Sequence, residues 1–457
     1  MSPLADDLAR LVGADWVEAP VADRGWLQDG TESAAVVGAA EAVVRPGTAE
    51  EVRDVVRWAG AHRVPLVPRG GGTGYAAGAV PVLGSVVVSL DRLRSVRERR
   101  PERWSIAVEA GVTTAEVRRL AREDALWFPP DPGAGEQSQI GGNVATNAGG
   151  PHCFKYGVTG RWVMALEAVL GTGELVRTGA GLPKDVSTLD LRSLLVGSEG
   201  ALGIVTAVWL RLIPEPEARL PVLAVFGSAR DGADAVSLAM ASGVVPSALE
   251  FLDRGAIEAA RATYPGVLPA DAEFAVLAEA DGTLTGATAE RDLIADMLRP
   301  TASDLIAPGP DEAAPIWAWR DGVSLGVLAR HGGKLSEDIA VPVDRLAEAV
   351  LAVRALGDEI GLETTSWGHA GDGNLHASFM FDRSDPRQLE RATAAAPRLF
   401  ALARSLGGSI TGEHGVGRFK AEAAAEQDPA LLAVQARLKA VLDPHGIMNP
   451  GAKVPPG

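Results

Sequence analysis

The chain has 457 residues, of which 47% are hydrophobic and 22% charged, enough apolar material for two or three cores and more than one domain ordinarily holds. Lys and Arg number 43 against 59 Asp and Glu, and the resulting net charge of −16 argues against a nucleic-acid partner, because such binding relies on cations that release counterions. A single cysteine, Cys153, excludes a disulfide framework and a Cys-rich zinc site, so any metal must be held by His and carboxylate.

Residues 1–12 carry Asp6 and Asp7 and lack the basic start and apolar stretch of a secretory signal. No window approaches the ~18 uninterrupted apolar residues that cross a bilayer. The expectation is a cytoplasmic protein with no membrane span, with peripheral attachment at the inner membrane face and a homodimer left open.

Residues 42–45 form a short apolar run ended by Pro46 and Gly47. Thr48 then stands as a helix cap with Glu51 three residues on, and Val52, Val55, Val56 and Ala59 follow at the spacing of one buried face. Residues 64–67 read as a buried strand. A second unit starts with a strand at 106–109 and a Thr113-x-x-Glu116 box ahead of Val117, Leu120 and Ala121. The two closely spaced prolines near 214–221 mark a domain seam. Beyond it, 222–226, 273–280 and the region of Ile339 read as strands, and 346–356 as a helix.

Three glycine-rich loops punctuate the first half. The run Arg69-Gly70-Gly71-Gly72-Thr73-Gly74 follows the 64–67 strand, and successive glycines let backbone N–H groups approach an anion closely. Its Gly72-x-Gly74-x-x-Ala77 spacing is not read as a nicotinamide fingerprint, because that requires a helix directly behind it and Pro81 with two glycines interrupts one. A second loop, from Pro129, leads into Ile140-Gly141-Gly142-Asn143-Val144-Ala145-Thr146-Asn147-Ala148-Gly149, and a third runs through Gly197, Gly200, Gly203 and Ile204. Each alone reads as a tight crossover; three within one half point to a ligand.

Together with Asp443-Pro444-x-Gly446-Ile447-Met448-Asn449-Pro450 near the C-terminus, these loops resemble the vanillyl-alcohol oxidase superfamily, in its branch of FAD-linked 2-hydroxyacid dehydrogenases. That resemblance implies an α+β fold: an FAD-binding domain of the vanillyl-alcohol oxidase (PCMH) type made of two α+β subdomains, at 1–218, and an α+β substrate or cap domain with an antiparallel sheet, at 219–410. A C-terminal segment, 411–457, would return to the FAD domain. It also implies FAD contacts at Arg69, Gly70, Gly71, Gly72, Thr73, Gly74, Ser138, Gly141, Gly142, Asn143, Thr146, Gly149, Gly200, Gly203, Ile204 and Asn449. Gln139 stands where many relatives carry a small hydroxyl residue. Thr73 occupies the place where covalently flavinylated relatives carry His, so noncovalent FAD is expected.

Three of the seven histidines fall in two C-terminal motifs. In Gly368-His369-Ala370-Gly371-Asp372-Gly373-Asn374-Leu375-His376, a two-residue turn at Asp372-Gly373 would set His369 directly across from His376, a pair able to bind one divalent ion. In Thr411-Gly412-Glu413-His414-Gly415, flanking glycines free Glu413 to complete a His-His-Glu set. By the resemblance His369, His376 and Glu413 are metal ligands and His414 is the catalytic base; the donor set suits zinc or manganese without choosing between them. Arg320 and Lys334 resemble positions that hold a substrate carboxylate, a role for which a guanidinium fork is well shaped.

The implied activity is oxidation of a small D-2-hydroxyacid such as D-lactate, glycolate or D-2-hydroxyglutarate, with hydride passing to flavin N5. Electrons would leave to an external quinone, cytochrome or electron-transfer flavoprotein, since the chain carries no haem motif and no Cys cluster. Two other readings use the same residues: a metal-dependent hydrolase at the His-His-Glu site, and a noncatalytic FAD-binding subunit of an oxidase complex.

Overall fold

The computed structural model describes residues 2–31 and 36–454; residues 1 and 455–457, at the ends of the expected domain spans, lie outside the described residues. Both capping boxes form. Thr48 Oγ1 accepts from the N–H of Glu51 at 3.1 Å and starts the helix Ala49–His62, whose buried face is Val52, Val55, Val56 and Ala59. Thr113 does the same for Thr114–Glu123, burying Val117, Leu120 and Ala121. An N-cap hydroxyl satisfies an otherwise orphaned N–H at the helix start.

The first helix covers a four-stranded sheet in the order Val17–Glu18, Ala40–Val44, Ser85–Ser89, Leu66–Arg69, with parallel pairing among the last three. A five-stranded antiparallel sheet follows, in the order Val96–Arg100, Ser105–Glu109, Gly203–Arg211, Val163–Leu170, Leu175–Thr178. Each has its own apolar core. The chain's C-terminal residues return to the first sheet, where Leu66 N–H donates to Ile447 O at 2.8 Å.

Ala218–Phe226 opens a third sheet of seven antiparallel strands, in the order Asp304–Ile306, Ala218–Phe226, Phe274–Gly282, Ala248–Asp253, Thr364–His369, Asn374–Phe381, Gly333–Ala340. Along Ala218–Phe226, Val222, Ala224 and Phe226 enter one core while Leu223 and Val225 enter another. Side chains alternate across a strand, so burial on both faces explains an apolar run without alternation. Leu346–Ile360 lies on this sheet and ends at Gly361, whose φ of 65° is the left-handed stop a glycine takes without strain.

Two local expectations change. The stretch after Gln139 is a short helix, Ile140–Thr146, where the sequence reads as loop; a Cβ at Gly141 would stand 2.6 Å from Ala110 Cβ, so glycine is what lets this helix press on the chain beneath it. The Asp372-Gly373 turn is also longer than a two-residue hairpin: His369 pairs with Asn374, and His376 pairs with Trp367. Asp372 accepts from Asn374 N–H at 3.2 Å, and Gly373 O accepts from Val341 N–H at 2.9 Å, which holds the wider loop open.

Candidate active site

One cavity of about 1160 Å³ lies between the glycine loops of the N-terminal half and the seven-stranded sheet, larger than the roughly 300–1,000 Å³ of ordinary small-molecule pockets. Gly70, Gly71, Gly72, Thr73, Gly74, Ser138, Gly141, Gly142, Asn143, Thr146, Gly149, Gly200, Gly203 and Ile204 line it, and so do Arg320, Lys334, His369, His376, Glu413 and His414. Residues separated by more than 300 positions thus face one cavity. Asn449 is not part of that lining: its amide donates to Gly78 O at 3.0 Å and Glu199 O at 2.7 Å, tying the C-terminal segment to the first and third loops. Arg69 lines the cavity, while its guanidinium donates to Gly25 O at 2.9 Å and Gln28 O at 2.6 Å and braces residues 24–28.

The loops fit a dinucleotide. A Cβ on Gly70 would stand 3.4 Å from Gly142 Cα, so the first and second segments converge, and a Cβ on Gly74 would meet nothing within 4 Å. Asn143 and Ser138 are held in place through Thr114, by hydrogen bonds of 2.6 and 2.8 Å.

On the opposite wall the histidines cluster. The observed pairing differs from the expected one by two residues, and because strand faces repeat every second residue both imidazoles still share a face, with ring centroids 5.4 Å apart at 86°. Glu413 Oε1 is 3.3 Å from His369 Nε2 and 3.4 Å from His376 Nε2. Ligand atoms of these three residues lie within 4.8 Å of one another, and among the described residues they form a donor set of the kind that holds a divalent ion with positions left open. His369 Nδ1 is 2.6 Å from Glu250 Oε1, the carboxylate-to-histidine support that orients metal-ligating imidazoles. His376 Nδ1 is buried without a partner.

The three donors differ in charge. Burial, and then the charge of His414, pushes His376 down to about 3, so its ring is neutral at pH 7. Burial opposes ionisation of Glu413, yet His369, then His376 and His414, hold its carboxyl down at about 2. Burial likewise opposes protonation of His369, but Glu250 and then Glu413 raise it well above the usual imidazole range.

His414 stacks on His376 with centroids 5.1 Å apart and lies 4.7 Å from the ring of Tyr75; its Nδ1 is 3.6 Å from Asp338 Oδ1. Arg320 gives two N–H groups to Glu250 Oε2, at 2.8 and 2.5 Å. Lys334 Nζ donates to Ser324 Oγ at 2.6 Å and sits 5.3 Å from the Trp367 ring centroid. Glu250, Asp338 and Glu199 were not singled out from the sequence. Glu250 carried a weak signal, a carboxylate inside the apolar run Ala248-Leu249-Glu250-Phe251-Leu252, where an acid must find a partner.

A glycine-lined cavity facing a cluster of histidines and carboxylates is the site of an FAD-dependent oxidoreductase. The chain belongs to the FAD-linked oxidase family: the model described as "FAD linked oxidases, C-terminal domain" matches residues 215–452, and "FAD binding domain" matches residues 40–179. It is 36% identical over 419 residues to glycolate oxidase subunit GlcD of Bacillus subtilis, covering 90% of this chain and 88% of that protein. It is 33% identical to D-lactate dehydrogenase of Anaerostipes hadrus (90% and 89% covered) and 33% identical to D-2-hydroxyglutarate dehydrogenase of Stutzerimonas stutzeri (90% and 90% covered). The fold matches solved p-cresol methylhydroxylase at a TM-score of 0.83 and 18% identity, covering 99% of this chain and 96% of that one.

Proposed function

We propose that this chain oxidises a small D-2-hydroxyacid to the 2-oxoacid. The observation that carries the reading is that His414 and the His369, His376, Glu413 set line the same cavity as Gly142 and Asn143. Three similar proteins are named for glycolate, D-lactate and D-2-hydroxyglutarate, all of them 2-hydroxyacids.

FAD, held noncovalently by residues 69–74, Ser138, Gly141, Gly142, Asn143, Thr146, Gly149, Gly200, Gly203 and Ile204, supplies the two-electron acceptor. His369, His376 and Glu413 would hold a divalent ion, zinc or manganese, which when bound would supply Lewis acidity toward the substrate hydroxyl. His414, which lines the cavity beside that set, takes the hydroxyl proton as general base. Arg320 and Lys334 orient the carboxylate, with Glu250 fixing the Arg320 fork. Asn449 serves the cofactor indirectly, by tying the first and third loops together. Residues 1–218 form the FAD domain, 219–410 the cap, and 411–457 the segment that brings His414 to their junction. The protein works in the cytoplasm, and electrons leave to an external quinone, cytochrome or flavoprotein.

The test is spectral. The oxidised flavin band of the purified holoprotein bleaches anaerobically on adding one of D-lactate, glycolate or D-2-hydroxyglutarate; a flavin left oxidised by a broad D-2-hydroxyacid panel rejects the assignment.

A further inference from the structure

The loop carrying Glu413 and His414 is gripped from both sides by buried carboxylates. From the Gly333–Ala340 strand, Asp338, with 0% exposure, accepts the backbone N–H groups of Gly412 at 2.7 Å, Glu413 at 2.6 Å and His414 at 3.2 Å. Its other oxygen accepts from Thr411 Oγ1 at 3.0 Å and Lys420 Nζ at 2.7 Å. From the third glycine loop, Glu199 accepts the N–H groups of Val416 at 2.9 Å and Gly417 at 2.6 Å, and its Oε1 lies 3.3 Å from Lys453 Nζ. Successive N–H groups converging on one point form an anion nest, and here the anions are supplied by the protein itself. Every N–H so bonded removes a way for the loop to reorient.

Resting on the reading of His414 as the base, we propose that Asp338 and Glu199 are positioning residues that together set the backbone from which Glu413 and His414 project. Asp338 aligns the loop to the sheet bearing His369, while Glu199 aligns it to the cofactor loops, so the two halves of the site are registered through one segment, residues 412–417. Neither carboxylate need touch substrate. Misplacing the loop by about 1 Å is enough to cost on the order of 100-fold in rate.

The experiment uses FAD-loaded protein with Asp338→Asn and Glu199→Gln, each of which sets an amide NH₂ among N–H donors. Expected for Asp338→Asn is a fall of about 100-fold in the saturating rate of flavin reduction, with KM changed by less than about 3-fold and FAD per chain unaltered. Amide hydrogen exchange at 412–414 accelerates in Asp338→Asn, and at 416–417 in Glu199→Gln. Because Asp338→Asn leaves Lys420 buried with a reduced partner, Asp338→Asn/Lys420→Met provides a folded form in which the same losses are expected. Wild-type exchange at 412–414 in Asp338→Asn or at 416–417 in Glu199→Gln, or an unchanged reduction rate in Asp338→Asn, overturns the proposal. If the parent flavin responds to no 2-hydroxyacid, the functional reading fails while the exchange data still decide whether the clamp exists.

Discussion

Burial acts alike on His376 and Glu413, yet it leaves one neutral and its neighbour ionised, because the imidazole loses its charge to desolvation whereas the carboxylate keeps it through three histidines. A neutral nitrogen beside a full carboxylate is the ligand state a divalent ion requires, and the third donor, His369, must release its proton as the ion binds. Chelation of the metal is therefore expected to abolish substrate-driven flavin reduction, with FAD content unchanged and activity restored by adding zinc or manganese, as followed by metal analysis and absorbance. Replacing His414 by Ala is expected to retain FAD and metal while slowing reduction by about 10²–10⁴-fold, the usual worth of a general base; rapid-mixing absorbance measures it. At this scale the histidines and Glu413 were legible because the motifs concentrate scarce residue types. Glu250 and Asp338 were not, since one carboxylate in a strand looks like any other until its partners, 119 and 76 positions away, fold against it.

Elements follow local chemistry closely where the signal is a cap. Thr48 and Thr113 predicted the first turns of their helices, and both hydroxyls accept the N–H three residues on. Thr48→Ala is expected to destabilise the protein by about 1 kcal/mol, read as a lower urea midpoint with FAD stoichiometry intact, because this cap lies outside the cavity. Signals based on turn type fared less well. The Asp372-Gly373 pair suggests the tightest hairpin, but Gly373 O is claimed by Val341 N–H on the neighbouring chain stretch, a tertiary bond that no local rule contains. Gly141-Gly142 likewise reads as loop on propensity but lies in a helix whose Gly141 N–H donates to Ala110 O at 2.8 Å, a tertiary contact so close that no side chain fits there.

Across the whole molecule, the N-terminal half and the seven-stranded sheet are joined by a largely buried ionic clasp that lines the cavity. His152 places Nδ1 2.5 Å from Asp131 and Nε2 2.9 Å from Glu279, and its ring stacks on Trp317 at 5.8 Å. Nearby, Tyr156 donates to Asp281 at 2.6 Å. Burial opposes the charge on His152, but Asp131 and then Glu279 raise its pKa from 6.5 to about 10. A raised value means the folded protein holds a proton that the unfolded chain releases. The stabilisation is complete below pH 6.5 and is lost as pH rises through about 10. Tm is thus expected to drop across that interval, and His152→Phe, which removes the cation between two carboxylates while Glu279 keeps Ser247 Oγ and Trp317 Nε1 as donors, is expected to cost about 1.5–3 kcal/mol and to flatten this part of the pH profile in calorimetry.

What the sequence determined by itself was whatever short-range chemistry records: helix starts, the apolar strands, the glycine runs that line the cavity, and the two histidines and glutamate that the fold brings together. The tertiary structure alone decided the hairpin register, the partners of Arg320 and Arg69, the strut made by Asn449, and the carboxylates that grip residues 411–417. The reason is physical. Caps and periodicity are written within a few neighbouring residues, whereas burial and ion pairing belong to surfaces that exist only after distant segments have packed together.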